Sequence, residues 1–423
     1  MQTNTTNAAS SITPTIMPSR SAVLFMMVTA FLSTMGIGIV SPILPFIVQP
    51  YLPSQDNLAS VIGWLISIYA ICQFIAAPGL GALSDRFGRR PLLLICLFGS
   101  TIGYALFGWG GALWVLFLSR IIDGLTGGNF SILAAYVGDV IAPEDRSRYF
   151  GMFGGAAGAG FIIGPVLGGF AARWGYQTPV YVAAALTLVN MLWGYFFLTE
   201  SLHTEQRTKQ IGFGQLNPLT QLWGVLALPQ LRGLLLISFL YALPFAILQS
   251  TSAILIKDSL GWNADGIGVV FLVLGVMDIV VQAGLVSYLL PRLHEVKVAM
   301  LGLLSMVLGH CLYALLVYLP STELLFTAVV LYGLGSGLIE PSLRGLLSQA
   351  AGPNEQGVVQ GGSQSMQSLA LVLGPLVGGL LYTQMGHASP YWLSALIAGL
   401  TLLALWLVRR ASIHPISPDH ACR

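Results

Sequence analysis

Four residues stand where a charge is expensive. Arg120, Asp123 and Asp278 lie inside long apolar runs, and Glu340 precedes Pro341 toward the end of another. At the centre of a bilayer a charge costs about 2.5–3.5 kcal/mol on insertion scales, so such residues carry a function or a partner. Arg120 and Asp123 are three positions apart and share a helix face. The neighbouring cation favours the carboxylate, so this pair reads equally as a permanent ion pair or as a proton-coupling switch that works when the two are separated. Asp278 has no cation near it in sequence; Met277, Ile279 and Val280 flank it, and Gln282 follows one turn on. Burial favours its neutral acid. Asp278 is therefore the preferred proton carrier, with a permanently neutral, hydrogen-bonded acid as the alternative. Glu340 has Arg344 four residues on, a favourable helical pairing that suits an interfacial ion pair or a gate. Cys72, Cys96, Cys311, Cys422 and the six histidines form no close-spaced metal or redox set. With no nucleophile–base pair visible either, an enzyme is not expected.

The elements that hold these residues follow from composition. Of 423 residues 55% are hydrophobic and only 8% are charged, against about a quarter charged in ordinary soluble domains. Disorder needs the opposite balance, and a net charge of +2 lacks the clustered basic residues that nucleic acid demands. The surplus apolar residues need lipid as their solvent. Residues 1–20 are rich in Thr, Asn and Ser without the basic start of a signal peptide, so the first apolar run is expected to stay as a helix. Runs at roughly 23–49, 59–80, 91–110, 112–140, 149–172, 178–199, 231–256, 266–290, 296–319, 323–349, 356–384 and 389–410 predict twelve spanning helices. Helix rise places Asp123 about 15 Å, Asp278 about 18 Å and Glu340 about 25 Å into their spans.

An amino terminus inside the cell puts fifteen Lys and Arg on the cytoplasmic side and only Arg173 and Lys257 on the other, a decisive bias. Both termini are thus expected in the cytoplasm, with the chain in the plasma (inner) membrane. A polar stretch after the sixth run divides the chain into a tail (1–20), a six-helix bundle (21–199), a linker (200–230), a second bundle (231–410) and a tail (411–423). The halves repeat. Gly164-Pro165-Val166-Leu167-Gly168-Gly169 recurs 210 positions on as Gly374-Pro375-Leu376-Val377-Gly378-Gly379. Ala142-Pro143-Glu144-Asp145-Arg146 echoes Gly352-Pro353-Asn354-Glu355-Gln356 at the same offset, and Gly333-Leu334-Gly335 lies 209 after Gly124-Leu125-Thr126. Two parallel halves predict a site between them near the midplane. The fold class is all-α and polytopic: twelve transmembrane helices in two pseudo-symmetric bundles.

Between the second and third runs stands Gly81-Ala82-Leu83-Ser84-Asp85-Arg86-Phe87-Gly88-Arg89-Arg90, a tight turn with mixed charges. This segment resembles the signature loop of the major facilitator superfamily almost residue for residue. The resemblance implies that Asp85, Arg86, Arg89 and Arg90 latch the cytoplasmic ends of the halves together, with Asp139 as acidic partner and Gly81 and Gly88 allowing the close turn. Gly160, Gly164, Pro165, Gly168 and Gly169 look like the motif of that family's antiporter branches, although small residues four apart also serve plain packing. Arg120 matches the span-four arginine of the proton-coupled drug exporters. The likeness runs along the whole chain and is greatest to the tetracycline-efflux group, through Met35-Gly36-Ile37-Gly38-Ile39-Val40-Ser41-Pro42, Trp262-Asn263-Ala264 and Gln282-Ala283.

Departures from that group bear on cargo. It carries an Asp where this chain has Ser33, another where it has Gly103, a His where it has Asp278, and a small residue where it has Asp123. Tetracycline is accordingly not the expected cargo. The resemblance implies a proton-coupled multidrug-type exporter driven by the proton gradient, with no cofactor and no obligate protein partner. A monomer suffices, and the partners are protons, lipid and a small molecule. The architecture points to Asn129, Tyr241, Phe245, Gln249 and Tyr332 as cavity residues for an amphipathic or cationic cargo, while a stripe of aromatic packing explains the same residues. A facilitator or importer with structural acids, and a receptor or scaffold on the same fold, are the alternatives.

Overall fold

The computed structural model describes residues 20–142, 145–202, 204–208, 231–350 and 356–413. Most of the two tails and of the expected linker lies outside the described residues, as do Pro143, Glu144 and Gly352–Glu355 of the second repeat match. Ten helical stretches are long and apolar enough to cross a membrane, and two irregularities bring the crossings to the twelve read from the sequence. One stretch, Ala264–Leu316, is 53 residues long and holds two spans. It reverses at His294, whose φ of 63° and ψ of 160° are non-helical. Span four is broken into Leu113–Thr126 and Asn129–Val140. Span one is shorter than its apolar run: it ends at Val40, and Leu44–Val48 forms a separate short helix. Pro42 disfavours helix at the residue before it, which accounts for the stop at Ser41.

The seam between the halves is built from small residues. Spans two (Leu58–Phe87), five (Arg146–Ala171), eight (from Ala264) and eleven (Gln356–Gln384) make it. A Cβ added to Gly268 would meet the Pro165 carbonyl oxygen at 2.8 Å, and one on Gly169 would meet Ala264 O at 2.6 Å. The repeat-related crossing uses Gly63 against the Pro375 carbonyl and Gly379 against Ala59. Ser60 Oγ donates to Thr383 Oγ1 at 2.9 Å and to Gly379 O at 3.2 Å, and Ser67 Oγ donates to Val372 O at 2.8 Å. Glycines thus let backbone touch backbone, where larger residues would hold the helices apart. The motif glycines have a second face: Gly160, Gly164 and Gly168 lie against Phe31, Met35 and Ile39 of span one.

All these seam contacts lie away from the loop Gly81–Arg90. The face of span five that carries Gly169, Pro165 and Ile162 continues through Gly158, Gly155 and Gly151, and those three have no atom within 4 Å of a built Cβ. On span eleven, Gly361 continues the face of Gly379 and Val372 and is equally open. The halves therefore diverge toward the end bearing the loop, the basic end. The opposite end is plugged by one core cluster in which Ile39, Ile43 and Ile47 of the first half join Ile254, Leu255 and Ile267 of the second.

Arg173 and Asp265 also bridge the halves at the plugged end, with side chains 57% and 31% exposed. An exposed pair of this kind contributes at most about 1 kcal/mol. Arg173→Ala is expected to lower the melting temperature of purified protein by no more than about 2–4 °C. A larger loss would mean that this ion pair, and not the glycine crossings, holds the end shut.

Candidate functional site

Each half places one carboxylate beside a helix irregularity. In the first half span four breaks after Thr126, and the side chain of Gln73 on span two donates to the freed Gly127 carbonyl at 2.9 Å. Asp123 lies one turn before the break and is 2% exposed. A Cβ on Gly103 of span three (Arg89–Trp109) would meet Asp123 Cβ at 2.8 Å. The two departures noted at positions 103 and 123 thus face each other, and the glycine supplies the room the carboxylate takes. Arg120 Nη1 stands 3.5 Å from Asp123 Oδ2, an ion pair too long for a good hydrogen bond.

The guanidinium of Arg120 sits in an aromatic box, its Cζ 4.4 Å from the Phe107 ring centroid, 5.7 Å from Tyr104 and 5.9 Å from Tyr69. Such contacts offset part of the cost of a buried cation. Arg120 Nε and Nη2 and Asp123 Oδ2 are buried without hydrogen-bond partners. A cavity of about 20 Å³ adjoins Asp123, lined also by Ser33, Gln73 and Asn129. That is room for one water molecule. Asn129 is held by its own bond to Ser33 Oγ at 2.8 Å.

In the second half Asp278 is half-buried on span eight. Gln282 Nε2 donates to its Oδ2 at 2.8 Å, and Ser336 Oγ on span ten (Thr322–Ala350) donates to Oδ1 at 3.2 Å. Directly after it, Val281–Val286 form a π-helical turn, a feature frequent at functional sites. Gly333 and Gly337 let span ten approach there, their built Cβ atoms meeting Met277 at 3.0 Å and Val281 at 2.8 Å. Glu340 accepts from Arg344 at 2.6 Å, with side chains 36% and 59% exposed.

The expected cavity residues divide. Phe245, Gln249 and Tyr332 meet in one cavity of about 30 Å³, which Phe161 of the first half also lines. Tyr241 is buried in the second bundle without lining that cavity, and Asn129 belongs to the first-half cavity. Tyr332 Oη and Ser252 Oγ, both lining the shared cavity, are buried without partners.

At the basic end Arg89 organises the loop. Its guanidinium pairs with Asp85 and Asp139 and donates to Ser84 Oγ at 2.6 Å. Gly88 takes a φ of 107°, a backbone that favours glycine. Arg86 and Asp85 are exposed or half-exposed, and Arg90 bonds the Tyr195 carbonyl. Among the described residues these ion pairs all lie within the first half.

Sequence reasoning placed Gln282 one turn from Asp278 but missed the aromatic box, Gln73 and Ser336 as partners, and both helix irregularities. The pair Gly127-Gly128 was a readable signal for the break. The π turn had none.

Comparison with known proteins follows the same lines. A family model described as Major Facilitator Superfamily matches residues 26–370 and, separately, 234–420. The chain is 33% identical to the class E tetracycline resistance protein of Escherichia coli over 399 residues, 93% of this chain and 97% of that one. It is 27% identical to multidrug resistance protein 2 of Bacillus subtilis (strain 168), over 89% of this chain and 92% of the relative. The crystal structure of a human organic anion transporter superposes with a TM-score of 0.67 at 25% identity, covering 92% of this chain and 99% of that one.

Proposed function

Since the chain belongs to the major facilitator superfamily, we propose that it is a proton-coupled exporter of small amphipathic molecules that works by alternating access. The observation that carries this reading is one carboxylate inside a membrane-crossing helix of each half, each beside a break or a π turn in that helix. Discontinuous helices at the midplane supply freed backbone groups and a place to bend. Asp123 is the carboxylate of the buried pair with Arg120, and Asp278 is the lone acid, held by two neutral donors. Cargo enters from the basic end, taken as cytoplasmic, where the halves diverge. It meets Phe245, Gln249 and Tyr332 on one side and Phe161 on the other. Mostly apolar walls with a few polar groups are the lining an amphipathic molecule needs, and the cavity of about 30 Å³ widens to admit it as the halves move. The names of the relatives, a tetracycline resistance protein and a multidrug resistance protein, support export of such a class. Proton uptake from outside then resets the acids, and a monomer in the plasma membrane suffices.

Proteoliposomes with an imposed pH gradient test the coupling, with tetracycline and a lipophilic cationic dye as probes. An inward-directed proton gradient is expected to raise export flux at least about ten-fold, a 1.4 kcal/mol effect. Asp123→Asn together with Asp278→Asn is expected to remove that increase. Flux that ignores the gradient and survives both substitutions would sink the proposal.

A further inference from the structure

The described start of the linker does more than join the halves. Glu200, three residues past the end of span six (Thr178–Phe197), reaches the first turn of span three (Arg89–Trp109). Its Oε1 accepts from the backbone N–H of Arg89 at 2.8 Å and its Oε2 from that of Arg90 at 3.3 Å. The same carboxylate accepts from Leu202 N–H at 3.1 Å, which fixes its own backbone. No side chain local to span three caps that helix; its N-cap is Gly88. The first N–H groups of a helix have no intrahelical acceptor and carry partial positive charge, so a carboxylate from a distant segment satisfies both needs.

Further contacts tie the same segment to the loop. Ser201 Oγ donates to Asp139 Oδ2 at 3.0 Å, the oxygen that Arg89 Nε also uses at 3.1 Å. Tyr136 Oη of span four donates to the Thr199 carbonyl at 2.8 Å. Thr208 N–H donates to the Asp85 carbonyl at 3.0 Å. Three residues of the Asp85–Arg89–Asp139 cluster are thereby each touched by the segment 199–208.

We propose that Glu200 is a positioning residue for the basic-end gate, and that residues 199–202 and 204–208 form a clip that sets Arg89 between Asp85 and Asp139. The clip fixes the Arg89 backbone, and the backbone fixes where the guanidinium can reach. This rests on reading the loop as a gate.

The test uses the full chain in inside-out vesicles, with its four cysteines replaced by serine. One reporter is Gly155→Cys, on the open face of span five, and the other is Thr383→Cys, in the plugged end. Without the clip the gate closes poorly, so the basic end stays open for longer. Glu200→Ala is expected to raise the maleimide labelling rate at position 155 and lower it at 383, changing their ratio at least about five-fold, the low end of coupling between linked sites. Glu200→Gln keeps one acceptor oxygen and is expected to fall between Ala and the parent. The melting temperature of each variant separates positioning from folding, since a merely structural role lowers it and raises labelling at both reporters together. That result would overturn the proposal, as would an unchanged ratio in folded Glu200→Ala. Asp85→Asn is run alongside. If it too leaves the ratio unchanged, the reading of the loop as a gate fails; if it alone changes the ratio, only the clip fails.

Discussion

Replacing Gly379 by valine is expected to abolish transport while leaving the protein folded. Its Cβ would stand 3.1 Å from the carbonyl carbon of Ala59, with the carbonyl oxygen closer still. Overpacking of this kind costs about 1–3 kcal/mol, and here the cost falls only on the conformation in which spans two and eleven touch. The plugged end is therefore expected to open, with a shift of about ten- to a hundred-fold in the equilibrium between the two states. Gly169→Val at the repeat-related crossing against Ala264 is expected to act the same way. Gly155→Val provides the opposite case. Nothing lies within 4 Å of its built Cβ in this conformation, so the side chain meets the other half only when the basic end closes. Labelling of Ser60→Cys, shielded by its bond to Thr383, reads the difference. It is expected to rise in Gly379→Val and fall in Gly155→Val. If both variants leave it unchanged, the glycine crossings are not the seal.

The second large effect is at the first-half pair. Arg120→Ala is expected to cost about 3–5 kcal/mol of stability, because it strands a buried carboxylate without its cation. Asp123 is 2% exposed and has an oxygen with no hydrogen-bond partner already, so the substitution leaves its charge buried without a counter-charge. Replacing both partners, Arg120→Met with Asp123→Leu, is expected to regain most of that stability, since a buried pair and an apolar pair of similar volume are often nearly equal. Gradient-driven transport is expected to stay absent in the double variant. Melting curves and proteoliposome flux measured on the same preparations decide the point. Recovery of both would make the pair structural. Recovery of stability alone would leave it a part of the coupling chemistry.

The architecture was legible because lipid leaves the chain few options. Uninterrupted apolar runs demanded helices, and the repeated Gly164-Pro165 and Gly374-Pro375 segments gave the two halves in register. Structure then put those prolines at equivalent crossings, against Gly268 and Gly63. Single residues were legible where a local rule applied: Arg120 with Asp123 and Glu340 with Arg344 both pair at helical spacing. What stayed hidden was contact between distant segments. No periodicity tells that Gln73 will meet the Gly127 carbonyl, that Ser336 will donate to Asp278, or that Glu200 will close the start of span three. The same holds for the spread of the cavity residues: Tyr241 shares the helix of Phe245 and Gln249 but does not line their cavity.

The π turn at Val281–Val286 carries a consequence for the rest of span eight. A π turn holds one residue more than the α turn it replaces, and each residue of an α-helix advances the side chains by about 100° and 1.5 Å. Residues from Ser287 onward are therefore out of phase with those before Val281 by roughly a quarter of a revolution. A residue such as Tyr288, 57% exposed, does not lie on the stripe that counting in threes and fours from Asp278 would assign to it. Span eight presents two differently directed faces along one axis, and any helical-wheel comparison across this stretch has to be drawn as two wheels.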